Sequence, residues 1–210
     1  MTSLEKDQTE AKRVTRASSK KRETKETSIQ VNLDLDGDGE VTADTGLPFF
    51  DHMLSQLGRH AGFNLLVKAD GDLDVDAHHS VEDVGIVLGE CLNDALGDRS
   101  GIQRFSSLSV PLDEALVAVA LDISGRPYLD YLVPIAQDAP VLGQPGFDPQ
   151  LAEEFWRAFV TNATLTLHVR LVEGRNTHHI LEASFKAVAR CLRDAVRLEG
   201  SRVPSTKGIL

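Results

Sequence analysis

Residues 78–82 read His78-His79-Ser80-Val81-Glu82, and residues 178–182 read His178-His179-Ile180-Leu181-Glu182. Both carry the pattern His-His-x-x-Glu, and they lie one hundred residues apart. Four of the seven histidines in the chain fall in these two doublets. Downstream, Cys91 and Cys191, Leu92 and Leu192, Asp94 and Asp194, and Ala95 and Ala195 keep the same offset. An offset held over that length marks an internal duplication, so the chain reads as one structural unit made twice. Its most repeated polar feature is a set of metal-type ligands.

Working outward from the first doublet, the apolar pattern supplies the elements. Ile29, Val31, Leu33 and Leu35 alternate over Ser28–Leu35, the period of a strand with one buried face. Asp36-Gly37-Asp38-Gly39 reads as a turn and Glu40–Asp44 as the returning strand of a hairpin. Asp34, Asp36, Asp38 and Gly39 imitate a calcium loop, but Thr45 stands where the bidentate glutamate belongs, which favours the hairpin. Pro48 opens a helix with Phe49, Phe50, Met53, Leu54 and Leu57 on one face. A strand over Asn64–Ala69, an acidic loop over Gly71–Ala77 and a long helix from His78 to about Leu96 complete the unit. The second half repeats the order, with strands at Ala115–Ile123 and Tyr128–Val133 and a helix at Pro149–Asn162. A strand at Thr164–Leu171 and a helix at His178–Leu198 follow. The expected fold class is α+β: a duplicated strand-strand-helix-strand-helix repeat, with antiparallel or mixed sheets and helices packed on one face. Residues 1–22 carry no periodicity and are expected to form a disordered tail. The two repeats are expected at 23–110 and 111–200, with an irregular connector at 134–148 and an extended tail at 201–210.

Bulk properties narrow the function classes. The chain has 210 residues, 41% hydrophobic and 26% charged, which is ordinary for a globular protein with a proper core. A net charge of −10 argues against nucleic acid as partner while leaving room for a small anion in a local basic pocket. No apolar run approaches the roughly 20 residues needed to span a bilayer, so no membrane role is expected. Residues 1–28 lack the apolar region of a signal peptide. Cys91 and Cys191 sit in apolar helical stripes and read as buried thiols in a reducing compartment, so the protein is expected in the cytoplasm.

The doublets carry the chemistry. Residues four apart share a helix face, so His78 with Glu82, and His178 with Glu182, can each grip one ion. Adjacent helical residues point about 100° apart, so the two imidazoles of a doublet suit two different ions. Two facing doublets then give two sites, each with a His-Glu pair from one helix and a single histidine from the other. His52, on the first helix, is a further ligand candidate, and its counterpart in the second repeat falls near Glu154. Mixed imidazole and carboxylate ligation suits manganese, iron, cobalt or zinc. His60 and His168 are read as core or supporting histidines.

Five ordered motifs resemble the imidazoleglycerol-phosphate dehydratase family. They are Thr45-Gly46-Leu47-Pro48-Phe49-Phe50-Asp51-His52-Met53-Leu54, Asp76-Ala77-His78-His79-Ser80-Val81-Glu82-Asp83, Gly125-Arg126-Pro127-Tyr128, Asn176-Thr177-His178-His179-Ile180-Leu181-Glu182-Ala183 and Pro204-Ser205-Thr206-Lys207-Gly208. The resemblance runs from about residue 22 to 210. It implies conversion of imidazole glycerol phosphate to imidazole acetol phosphate and water in histidine biosynthesis. It also implies two manganese ions per active site and a 24-subunit assembly with sites at subunit interfaces. Carried over by motif, the metal ligands are His52, His78, His79, Glu82, His178, His179 and Glu182. Some members place a ligating histidine where this chain has Glu154; a carboxylate can also ligate manganese, and Glu154 is kept as a ligand. The implied substrate and phosphate contacts are Gln56, Arg104, Arg126, Lys186, Ser205, Thr206 and Lys207. Glu26 matches the glutamate that contacts substrate and takes the general acid/base role.

The reaction lacks a carbonyl to stabilise a carbanion, so the imidazole ring must serve as electron reservoir. The expected course is a ring bound to both metals as imidazolate, which expels the neighbouring hydroxyl through a diazafulvene-like intermediate. Loss of a proton then gives an enol that ketonises. Two other classes fit the ligand set alone: a dinuclear hydrolase using metal-bound hydroxide, and a scaffold held together by structural ions.

Overall fold

A computed structural model describes residues 15–136 and 138–210. The first repeat comprises β1 (Ala17–Glu23), β2 (Thr27–Asp34), β3 (Val41–Asp44), α1 (Pro48–Ala61), β4 (Asn64–Gly71) and α2 (His78–Leu96). The second comprises β5 (Phe105–Leu112), β6 (Ala115–Asp122), β7 (Tyr128–Leu132), α3 (Leu151–Ala163), β8 (Thr166–Glu173) and α4 (Thr177–Ala195). Each repeat forms a four-stranded sheet, in the orders β1-β2-β4-β3 and β5-β6-β8-β7. The first three strands in each order pair antiparallel, and the last pairs parallel. In both sheets one face alternates buried residues, such as Ile29, Val31 and Leu33 in β2. Helices α1 and α2 cover the first sheet, α3 and α4 the second, and the pairs α2–α3 and α1–α4 pack across the middle. The layer order is therefore sheet, helices, helices, sheet, around one continuous apolar cluster. Among the described residues no helix is long and apolar enough to cross a membrane.

Three expectations need correction. Residues 17–22, expected in a disordered tail, belong to β1; residues 1–14 lie outside the described residues. This edge strand is hidden in the sequence because its helix-facing side chains are polar, held by ion pairs rather than apolar burial. Lys20 reaches Asp94 at 2.9 Å and Arg22 reaches Asp83 at 3.0 Å, both on α2. Its counterpart β5 was likewise not expected, and it crosses the anticipated boundary at 110/111, so the second repeat begins at Phe105. Finally, β2 and β3 are not a hairpin, since β4 lies between them. The Asp36–Gly39 turn is instead closed by Asn64 at the start of β4, whose side-chain oxygen accepts the N–H groups of Asp38, Gly39 and Glu40 at 3.0–3.1 Å.

The helix starts position the site. Proline at the first turn of α1 costs no hydrogen bond there, and Gly62 ends the helix in the left-handed conformation. The Asp76 carboxylate accepts the N–H of His78, and the Asn176 side chain accepts those of His178 and His179. Asn176 is the side-chain N-cap of α4, while Asp76 makes a local side-chain–backbone bond just ahead of α2, and each bond fixes its doublet in the first turn. The 134–148 connector is irregular in backbone but anchored, because Phe147 is fully buried against Phe49 and Phe50.

Candidate metal centre

Helix α1 presents His52 one turn in, opposite the first two turns of α4. His52 Nε2 lies 3.1 Å from Glu182 Oε2, and His178 Nε2 lies 3.0 Å from the same oxygen. The second carboxylate oxygen of Glu182 meets Lys186 Nζ at 2.5 Å. Among the described residues, His52, His178 and Glu182 form the one group of three potential ligands with all donor atoms within 4.8 Å. The Phe49 ring meets the His178 imidazole edge-on at 5.2 Å and backs it against the core. Burial alone would raise the Glu182 carboxyl, but its bonds to Lys186, His52 and His178 outweigh that and hold it at about 2. Adjacent ligands of an ion bound at about 2.1 Å sit roughly 3 Å apart, so the three donors fit a divalent transition metal with little rearrangement.

The first repeat is looser. His78 Nε2 stands 3.9 Å from Glu82 Oε2. Glu154 is paired instead with Arg157, at 3.6 Å. The second histidine of each doublet points elsewhere: the rings of His78 and His79 are inclined by 88°, and those of His178 and His179 by 82°. His79 Nδ1 faces Asp72 at 3.1 Å, with Glu26 at 3.8 Å. His179 Nδ1 faces Glu114 at 2.7 Å, and this bond holds the Glu114 carboxyl down at about 2. Asp72 and Glu114 were not singled out by the sequence. A usable signal existed for Glu114, since it immediately precedes β6 as Glu26 precedes β2.

The residues assigned to phosphate divide in two. Arg104, Arg126, Ser205, Thr206 and Lys207 converge on an open cleft of about 570 Å³. Arg104 has φ of +75°, a conformation few side chains adopt, and its guanidinium is fixed by Asp122 at 2.7 Å and the Pro204 carbonyl at 2.7 Å. Gln56 and Lys186 do not line this cleft. Gln56 bonds His60 on α1, and Lys186 neutralises Glu182 one turn away on α4. In this chain Lys186 therefore lies with the metal group rather than in the cleft with Arg104, Arg126 and Lys207.

Fold and site together define an internally duplicated α+β protein with an imidazole–carboxylate metal group and a separate basic cleft. The family model for imidazoleglycerol-phosphate dehydratase matches residues 45–192. A relative named imidazoleglycerol-phosphate dehydratase from Acidothermus cellulolyticus is 54% identical over 202 residues, covering 96% of each chain. One of the same name from Caldanaerobacter subterraneus subsp. tengcongensis is 54% identical over 192 residues, 90% of this chain and 97% of the relative. The crystal structure of imidazoleglycerol-phosphate dehydratase from Staphylococcus aureus superposes with a TM-score of 0.77 at 37% identity, covering 87% of this chain and 99% of that one. The chain belongs to the imidazoleglycerol-phosphate dehydratase family.

Proposed function

We propose that this chain is a hydro-lyase that removes water from imidazole glycerol phosphate, giving imidazole acetol phosphate in histidine biosynthesis. The observation that carries this reading is the convergence of His52, His178 and Glu182 in a member of this family. Two manganese ions per active site fit the duplicated ligand set. His52, His178 and Glu182 would hold one; His78 and Glu82 would hold the other, with Glu154 turning to it from its ion pair with Arg157. His79 and His179 are engaged by Asp72 and Glu114 rather than by the glutamates of their own doublets, which suits donation to ions held by neighbouring subunits of a 24-subunit assembly. When bound, the ions supply Lewis acidity that favours a deprotonated imidazole ring.

The remaining work falls to the chain. Arg104, Arg126, Ser205, Thr206 and Lys207 bind and orient the phosphate through charge-assisted hydrogen bonds. Lys186 keeps Glu182 ionised, so its oxygens remain donors to metal. Gln56, held on α1 by its bond to His60, would contribute a further polar contact to substrate. Glu26 takes and returns the substrate proton, since its exposed carboxylate lies at the doublet rather than inside the core. The two buried free thiols, Cys91 and Cys191, support a reducing, cytoplasmic setting.

The test is an assay of purified protein with imidazole glycerol phosphate, before and after metal stripping and manganese reloading. Metal-dependent formation of imidazole acetol phosphate is the expected result. Absence of product from loaded, assembled protein would overturn the reading in favour of a hydrolase or a scaffold.

A further inference from the structure

The duplication sets two glutamates in the same place. Glu26 ends the β1–β2 connection, and Glu114 ends the β5–β6 connection. Each stands beside the second histidine of its own repeat's doublet, yet they behave differently. Glu114 bonds His179 Nδ1 at 2.7 Å and accepts the N–H of Asn176 at 2.8 Å. Glu26 stands 3.8 Å from His79 Nδ1, and its carboxylate makes no hydrogen bond among the described residues. In the first repeat the bond to the imidazole comes from Asp72, at 3.1 and 3.2 Å.

The origin of the difference lies in one loop. Between Gly71 and His78 the chain runs through residues 72–77, whereas between Glu173 and Thr177 it runs only through 174–176. Counted from the strand starts Asn64 and Thr166, Asp72 corresponds to Gly174, which has no side chain to offer. The loop of the first repeat thus brings a carboxylate to His79 where the second repeat has only a glycine. An ionised carboxylate only accepts hydrogen bonds, so Nδ1 of each histidine carries a proton, and in the neutral ring the lone pair is then on Nε2. A carboxylate on one ring nitrogen orients the ring and makes the other a better metal donor.

We propose that Asp72 and Glu114 are the positioning residues of the two doublets, and that Asp72 releases Glu26, the counterpart of Glu114, to act on substrate. The inference rests on the proposed function in taking His79 and His179 as metal ligands. One copy of the duplicated glutamate keeps its place on the imidazole. The other, relieved by an added aspartate, has an uncommitted carboxylate beside the same doublet.

The experiment titrates manganese into the assembled, metal-stripped protein by calorimetry, without substrate, alongside steady-state kinetics. The variants are Asp72→Asn, Glu114→Gln and Glu26→Gln, each neutral and close in shape to the parent. Asp72→Asn and Glu114→Gln should weaken manganese binding about 10-fold or more, the usual cost of losing such a partner. Glu26→Gln should bind manganese as the parent does while kcat collapses. Since it removes the same charge near the same histidine, it separates orientation from simple loss of negative potential. Parent-like affinity in Asp72→Asn and Glu114→Gln would overturn the proposal, as would an equal loss in Glu26→Gln. Because the titration needs no substrate, weakened binding in the two variants would uphold the positioning role even if the parent failed to dehydrate imidazole glycerol phosphate.

Discussion

Replacing Gly89 with alanine tests the link between helix packing and the site. Intrinsic helix propensity predicts a gain, since alanine is favoured over glycine by about 1 kcal/mol in a helix interior. Packing predicts the opposite. A Cβ on Gly89 would stand 2.5 Å from the Phe159 carbonyl oxygen, 2.9 Å from Asn162 Cβ and 3.0 Å from Ala163 N, all on α3. One turn earlier, a Cβ on Gly85 would stand 2.7 Å from the Phe155 carbonyl oxygen. Two of these obstacles are backbone, which cannot rotate aside, so α2 and α3 must separate by nearly 1 Å to restore ordinary contact. Overpacking costs about 1–3 kcal/mol, and against backbone that cannot rotate aside it falls at the upper end, about 2–3, leaving a net loss of about 1–2 kcal/mol after the propensity gain. The displaced helices carry His78, His79 and Glu82 on one side and Glu154 on the other, so the damage should extend to metal binding. Thermal denaturation and manganese titration of Gly89→Ala would read both effects. A variant as stable as the parent, or more so, would refute the close-approach argument and leave propensity in control.

Four further outcomes follow from the site. His52→Ala and His178→Ala should each lose manganese and turnover together, measured by metal analysis and assay; retained metal with intact activity in either would contradict the group's role. Glu26→Gln should lower kcat by roughly 10²–10⁴, the usual worth of a general acid or base, and near-normal turnover would remove that role. Lys207→Ala and Arg126→Gln should raise KM and weaken competition by inorganic phosphate, whereas an unchanged KM would take the cleft out of substrate binding. Glu182 has its carboxyl depressed from the ordinary 4.5 to about 2, so its stabilising contribution is full above about 4.5 and is lost as pH falls toward 2. Urea unfolding of metal-free protein should therefore show a smaller acid-side loss between those values in Glu182→Gln than in the parent, the remainder coming from groups such as Glu114; identical pH dependence in the two would refute it.

Much of the fold could be read directly. The α2 boundaries, His78 to Leu96, and the start of α1 at Pro48 match the apolar period and the proline signal. Strands β2, β4, β6 and β8 declared themselves because apolar residues alternate along them, burying one face throughout β2 and β6 and over the first half of β4 and β8. β1 escaped because Lys20 and Arg22 face the helices through ion pairs, a burial mode that leaves no apolar alternation. The hairpin reading of β2 and β3 failed for a different reason: a Gly-rich turn predicts reversal, but not whether a third strand inserts into the gap. At the site, residue type and helical spacing picked out His52, His178 and Glu182. The separation of Lys186 from Arg104 and Lys207 required the tertiary placement of α4 relative to the C-terminal segment.

The sequence by itself determined that this is a duplicated α+β chain with paired imidazole–carboxylate ligands at the starts of two equivalent helices. Those features are local, set by spacing along a helix or strand and by an offset of one hundred residues between the doublets. Only the tertiary structure decided which ligands meet, which strands neighbour each other, and which carboxylate orients which imidazole. Two equivalent sequence positions, Glu26 and Glu114, differ in their bonding because a loop more than forty residues away along the chain delivers Asp72 to one and nothing to the other. Such competition for a hydrogen-bond donor exists only in space, where side chains distant in sequence come within about 3 Å.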